Sequence, residues 1–212
     1  MRPTIALFLH QPRVSVQSGN GIIKSLQDYY NFKIFTRHEL ERDFFDDVDC
    51  VAFAGGVGDS DSYDWLLRDN GPAILQYLAG GGRYLGICMG AYWADRDYFD
   101  ILNGVRVVQY IRQPNTDTRR PHAKAISITW NGVPDRMYFY DGCAFTGHGN
   151  FETVATYANN NPMAIIQNRI GLIGCHPESQ EFWYDKNYLK PHWHCGHHNK
   201  LLLEFVDQLM RK

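Results

Sequence analysis

The sequence has no Cys-x-x-Cys pair, and its five cysteines are an odd number. A wholly disulfide-bonded framework is therefore excluded, and the pattern fits a reducing compartment. Charge of one sign is missing too. The 21 Lys and Arg against 23 Asp and Glu leave a formal net charge of -2. That removes the electrostatic case for nucleic acid or an anionic membrane as partner. The apolar run near the N-terminus, Ile5 to Leu9, is too short for a signal segment or a membrane span. Together these absences predict a soluble, cytoplasmic protein. At 212 residues, with 44% hydrophobic residues, a single domain over 1–212 with a substantial core is the simplest organisation.

Order appears along the chain as alternation. Thr4 to His10 is apolar enough for a buried parallel strand. Gln11 to Gly21 reads as a polar loop. Ile22, Ile23, Leu26 and Tyr30 then recur at helical spacing, which predicts a helix to about Tyr30. Phe32 to Thr36 reads as a strand, Leu40 to Asp47 as a helical turn, and Cys50 to Ala54 as a third strand. Asp59, Asp61 and Asp64 read as carboxylates that cap and charge a short helix through Trp65 and Leu67, in preference to a cation site. Gly71-Pro72 opens a helix with Ile74, Leu75 and Leu78 inward, stopped at Gly80-Gly81-Gly82. Strand–helix alternation of this kind predicts a mostly parallel central sheet with helices on both faces.

After Asp95 the pattern changes. Val105–Tyr110, Ala125–Trp130, Met137–Tyr140, Thr153–Tyr157, Met163–Gln167 and Ile170–Cys175 are short and strand-like, with no long helix between them. They predict extra antiparallel strands in the second half. Residues 112–124, with Arg119-Arg120, read as a solvated basic loop. Tyr140-Asp141-Gly142-Cys143 and Gly147-His148-Gly149-Asn150 read as turns, with His148 at the surface. Asn199 to Arg211 closes the chain as an amphipathic helix built on Leu202, Phe205, Val206 and Leu209.

The chemistry concentrates at Tyr84-Leu85-Gly86-Ile87-Cys88-Met89-Gly90-Ala91-Tyr92. An apolar strand runs into a short helical segment, and glycines flank Cys88 two residues to either side. That is the nucleophile-elbow pattern with cysteine in place of serine. A turn so tight admits only small neighbours, and a helix N-terminus favours thiolate. The same residues also describe a plain buried cysteine. Far downstream, the strand-like Ile170 to Cys175 runs into His176-Pro177-Glu178. A thiol nucleophile needs a base, and the base needs a third group to orient it. His176 and Glu178 can supply both. Gly55 and Gly56 end a strand where open α/β sheets build their sites. The N–H groups of Gly56 and Met89 are the candidate oxyanion donors.

The segment His192-Trp193-His194-Cys195-Gly196-His197-His198 has ligand chemistry for zinc or copper. Its spacing matches no structural zinc pattern, so it reads as a lid beside the site; no metal and no cofactor are expected.

The Gly86-Ile87-Cys88-Met89-Gly90 elbow with His176-Pro177-Glu178 resembles the class I glutamine amidotransferases, a flavodoxin-like α/β fold. Three segments resemble the amidotransferase-like N-terminal domain of eukaryotic biotin-protein ligases: Ala54 to Asp59 with Tyr63, Gly81 to Tyr92, and Gly174 to Glu178. The resemblance implies a Cys88–His176–Glu178 triad acting on a small amide or γ-glutamyl-like substrate. It implies a separate acceptor or synthase protein as partner, with a non-catalytic binding or regulatory module as the alternative. Two positions depart from the family. Glutamine-using members carry a polar pair after the second elbow glycine, where this chain has Ala91-Tyr92. Their Pro-Gly-Gly oxyanion loop is Ala54-Gly55-Gly56 here. Gly55, Gly56, Met89 and Tyr92 are thus the expected oxyanion and substrate-binding residues.

Overall fold

The computed structural model describes residues 2–9, 13–38, 40, 43–56, 63–64 and 70–212, without the side chains of residues 13 and 14. In chain order the elements are β1 (Thr4–Phe8), α1 (Arg13–Leu26), β2 (Asn31–Phe35), β3 (Cys50–Phe53), α2 (Gly71–Ala79), β4 (Arg83–Ile87) and α3 (Met89–Tyr92). Then follow β5 (Val105–Gln109), β6 (Lys124–Trp130), β7 (Val133–Phe139), β8 (Cys143–Gly147), β9 (Glu152–Tyr157), β10 (Pro162–Gln167), β11 (Ile170–Ile173) and α4 (His197–Met210).

One sheet of nine strands runs through the molecule in the order β2-β1-β3-β4-β11-β10-β9-β6-β7, with β5 and β8 as a separate pair. The first five strands of that order are parallel. From β11 onward every pairing is antiparallel. The fold is mixed α/β. β11 is the seam: it lies parallel to β4 on one side and antiparallel to β10 on the other.

The apolar character of the central strands follows from burial on both faces. Along β1, Ile5 and Leu7 join a cluster with Ile22, Leu26, Leu202 and Phe205. Ala6 and Phe8 join a second cluster with Ile74, Met89, Phe53 and Phe99. Side chains alternate across a strand, so one apolar run feeds two cores.

Several expected boundaries move. The stretch Gln11 to Gly21, expected as a loop, is helical from Arg13 onward, with residues 11 and 12 outside the described residues. Its polarity misleads because Ser15 and Ser18 are buried. Its glycines serve close packing: a Cβ on Gly19 would lie 2.1 Å from Leu9 Cδ2, and one on Gly21 2.3 Å from the Glu178 carbonyl oxygen. The helix ends at Leu26, short of Tyr30. Residues 43–47 form turns and no helix. The strand expected over Met137–Tyr140 begins at Val133 and ends at Phe139, and Cys143–Gly147 is a strand flanked by the expected turns. The expected helix through Trp65 and Leu67, and Asp59 and Asp61 before it, lie outside the described residues.

Candidate active site

Cys88 sits in the step from β4 to α3 with φ 51° and ψ −102°. That is an unfavourable conformation for a residue with a side chain, and such strain persists only where the surroundings enforce it. The enforcement is visible. The Cys88 N–H donates to the Ile173 carbonyl at 2.8 Å, which ties the turn to β11. A Cβ on Gly90 would come within 2.1 Å of the Phe53 carbonyl oxygen, and one on Gly86 within 2.5 Å of the Gly90 carbonyl oxygen. The elbow is therefore pressed between β3 and β11, and glycine is required on both sides of it.

The same β11 continues into His176, whose N–H donates to the Tyr138 carbonyl at 3.0 Å. The ring Nδ1 lies 2.8 Å from Glu178 Oε1. Cys88 also acts on the imidazole electrostatically, while its Sγ–H points to the Tyr140 carbonyl oxygen at 3.8 Å. Burial works against a charged imidazole here, but the Glu178 carboxylate and the Cys88 sulfur outweigh it and push the His176 pKa up to about 10. Both influences favour the protonated imidazole, with Nδ1–H donating to Glu178.

Glu178 is fully buried. Its Oε1 also accepts the Ser18 hydroxyl at 2.7 Å, while Oε2 has no hydrogen-bond partner among the described residues. Ser18 Oγ in turn accepts the Gly55 N–H at 2.9 Å. A single hydroxyl on α1 therefore joins the carboxylate to the glycine turn after β3. Gly55 also packs against the imidazole: a Cβ there would lie 2.6 Å from His176 Cε1.

A cavity of about 600 Å³ opens on these groups. It is lined by Gly55, Gly56, Cys88, His176, Gln17 and Ser18. The aromatic side chains Tyr138, Tyr140, Phe182 and Trp183 complete the lining. The structure thus gathers Cys88, His176, Gly55 and Gly56 around one space, with Glu178 behind His176. Met89 is buried, and its sulfur would lie 3.2 Å from a Cβ on Gly56. Tyr92 faces elsewhere: its hydroxyl donates to the Asp141 carbonyl at 3.2 Å, and it is not part of the cavity lining.

Ser18, Gln17 and the aromatic wall have little signature in the sequence. Ser18 lies in a stretch that reads as a loop, 160 residues from Glu178. The spacing of Tyr138 and Tyr140 does carry a signal, since alternate residues at the end of β7 face the same side.

The histidine-rich segment does not line this cavity. His194 Nδ1 accepts the N–H groups of Gly196 and His198, so its Nε2–H donates to the Ser179 carbonyl at 3.2 Å. The rings of His194 and His198 stack with centroids 4.1 Å apart, and His198 Nε2 meets Asp135 at 3.1 Å. Burial first, then neighbouring His198, lowers the His194 pKa to about 4. Through His194 the segment is tied to the backbone that follows Glu178. Among the described residues, no three His, Cys, Asp or Glu side chains are grouped to hold a metal ion. His148 is exposed and away from the cavity.

All five cysteines are free. Burial pushes the Cys50, Cys143 and Cys175 thiols well up, and all are fully buried. Cys195 is exposed, and its Sγ–H points to the Trp193 carbonyl oxygen at 3.9 Å. Limited iodoacetamide at neutral pH is therefore expected to carbamidomethylate Cys88 first, as read by peptide mass mapping, although Cys88 is only 6% exposed. Modification of Cys195 with Cys88 untouched would remove Cys88 as the activated thiol.

No protein-family model and no curated protein matches the sequence. Solved structures do match. A glutamine amidotransferase from Thermotoga maritima superposes with a TM-score of 0.70 over 100% of both chains at 13% identity. Another glutamine amidotransferase gives a TM-score of 0.67 at 14% identity, over 98% of this chain and 99% of its own. A putative GMP synthase component from Thermoplasma acidophilum gives 0.62 at 14% identity, over 99% and 94%. At such identities what is shared is the fold, and the fold here is like that of these glutamine amidotransferases. Among the described residues no helix is long and apolar enough to cross a membrane.

Proposed function

We propose that this protein is a cysteine-dependent amidase or amidotransferase-like hydrolase acting on a small amide or γ-glutamyl-like substrate. The observation that carries the reading is the buried His176–Glu178 pair at 2.8 Å, with His176 and Cys88 lining one cavity. The Cys88 thiolate attacks the carbonyl carbon, and a C–S bond forms. His176 gives its proton to the departing nitrogen as the C–N bond breaks, leaving a thioester. Water then attacks the thioester, His176 takes its proton, and the C–S bond breaks to release the acid and restore the Cys88 thiolate. Glu178 holds the imidazole in register throughout. The Gly56 and Met89 N–H groups receive the developing oxyanion. The reading also sets α1 and α4 on one face of the sheet and α2 and α3 on the other, supported by the two apolar clusters that β1 feeds. That puts the site at the carboxyl ends of the parallel strands, where open α/β sheets bind ligands.

The reduced cysteines suit the cytoplasm. The likeness to a protein described as one component of a synthase supports a separate acceptor or synthase protein as partner. A finer kinship with the N-terminal domain of biotin-protein ligases rests on the three sequence segments alone. One observation favours a second reading, a binding or regulatory module: the Gly55 N–H is committed to Ser18 and is not free for an oxyanion.

Free glutamine is expected to be a poor substrate. Tyr92 stands where glutamine-using relatives carry a polar amide, and its hydroxyl is bound to Asp141. Each buried polar substrate group left without a partner costs roughly 1–3 kcal/mol, or about one to two decades in kcat/KM. Ammonia release from glutamine by the wild type beside Cys88→Ala measures this. Robust Cys88-dependent turnover with no partner protein would refute the role given to Tyr92. A panel of small amides run beside the same control tests the hydrolase itself.

A further inference from the structure

The wall facing Cys88 is aromatic to an extent that triad chemistry does not require. Tyr138 and Tyr140 come from the end of β7 and the residue after it, and Phe182 and Trp183 from the turn at Glu181–Tyr184. The rings form one packed surface around the imidazole. Tyr138 and Trp183 meet edge to face at 5.1 Å, and each contacts His176, at 5.9 and 5.4 Å. Phe182 extends the surface from Trp183 at 6.3 Å. Tyr140 and Phe182, both in this lining, remain 53% and 48% exposed, so two of its rings stay open to a ligand.

Charge complementarity points the same way. Among the described residues the lining holds no Lys, Arg, Asp or Glu, and its one basic ring, His176, is already paired with Glu178. The nearby carboxylate, Glu178, is already committed to His176 and Ser18. A free α-amino acid brings an ammonium and a carboxylate, and desolvating either without a counter-charge is costly. Burial holds the Tyr138 hydroxyl neutral, with its pKa raised to about 12, so this wall offers rings and hydroxyls. The cavity's size, about 600 Å³, suits a molecule well beyond a bare amide.

We infer that the substrate of Cys88 carries an uncharged, planar group, aromatic or conjugated, next to its scissile amide. That group stacks on the Tyr138–Trp183–Phe182 wall while the carbonyl meets the thiolate. The inference rests on the thiol-hydrolase reading above and narrows it to neutral aryl-bearing amides, excluding free amino acids.

Covalent capture tests it without needing turnover. Three probes share one warhead: 2-chloroacetamide, N-benzyl-2-chloroacetamide and Nε-chloroacetyl-lysine. Each rate of Cys88 modification, read by intact mass and peptide mapping, is divided by the probe's rate with glutathione. The benzyl probe is expected to react about tenfold faster on this scale than the parent, the size of one good aromatic contact, and to saturate. The zwitterionic lysine probe is expected to gain nothing over the parent. In Phe182→Ala, a half-exposed position safe for folding, and in Trp183→Ala, the benzyl-to-parent ratio is expected to fall several-fold. Equal normalised rates for the three probes, a lysine probe that leads, or an unchanged ratio in both variants would overturn the inference while leaving the nucleophile in place. If no chloroacetamide modifies Cys88 ahead of Cys195, the hydrolase reading itself falls, and this inference with it.

Discussion

His176→Ala is expected to abolish Cys88-dependent turnover and to unfold the protein at a markedly lower temperature. The first loss follows from the role proposed for it: in that reaction the imidazole carries the proton for attack and departure, and removing a member of such a unit costs on the order of 10³-fold or more in kcat. The second follows from burial. Glu178 is fully buried and shares Oε1 between His176 and Ser18, while Oε2 already lacks a partner among the described residues. Deleting the imidazolium leaves that carboxylate uncompensated, a change worth about 3–5 kcal/mol when one half of a buried pair is removed. In a chain of this size that corresponds to a fall of roughly 6–20 °C in Tm. Glu178→Gln in the same background removes the stranded charge and is expected to recover most of the stability and none of the activity. Failure of that rescue would mean that the cost is packing and not charge.

The same pair sets a pH dependence. The folded pKa of His176 is raised to about 10, above the ordinary histidine value of about 6.5. Its contribution to stability is thus fully present below about pH 6.5 and is lost as pH rises through about 10. Denaturant melts at pH 6, 8 and 10 are expected to show the gap between wild type and His176→Ala narrowing as pH increases. A gap constant across that range would contradict the imidazolium assignment.

Gly90→Ala is expected to be the most destabilising single methyl in the chain's elbow, exceeding about 4 kcal/mol and preventing folding where the margin is small. The added Cβ would meet the Phe53 carbonyl oxygen at 2.1 Å, Phe53 Cβ at 2.6 Å and the Phe53 carbonyl carbon at 2.7 Å. Two of these are backbone atoms of a central strand paired on both sides, so they cannot step aside as a flexible side chain could. Gly71→Ala is the control: a Cβ at Gly71 has nothing within 4 Å. There alanine is expected to be neutral or to stabilise by about 0.4–1 kcal/mol through the unfolded chain. Urea unfolding of the two variants decides the matter, and comparable stabilities would show that the elbow is not pressed onto β3 as described.

The parts of this protein legible in its sequence are those whose causes are local. A strand buried on both faces must be a continuous apolar run, so β1, β3 and β4 show themselves. Gly86 and Gly90 mark the elbow because the close approach they permit involves neighbours on the adjoining strand and turn. His176 and Glu178 stand two residues apart, so their pairing is a short-range matter. The change from alternating elements to successive short strands after Asp95 was enough to foretell the antiparallel half of the sheet.

Tertiary structure alone decided the rest. Residues 13–21 look like a loop because Ser15, Ser18, Gly19 and Gly21 are poor helix material, yet they form α1. Packing overrides propensity there: the helix lies so close to Leu9 and Glu178 that only glycine fits at two positions, and Ser18 is buried because it has Glu178 and Gly55 to bond. No spacing rule links Ser18 to Glu178 across 160 residues. Nor does any rule bring the Tyr138–Tyr140 strand end against the Phe182–Trp183 turn. Local pattern set the reacting groups, because their geometry is made by a few neighbouring peptide units. The support of the carboxylate and the shape of the cavity were set by the sheet, because they join segments that meet only once β11 has paired with β4 and β10.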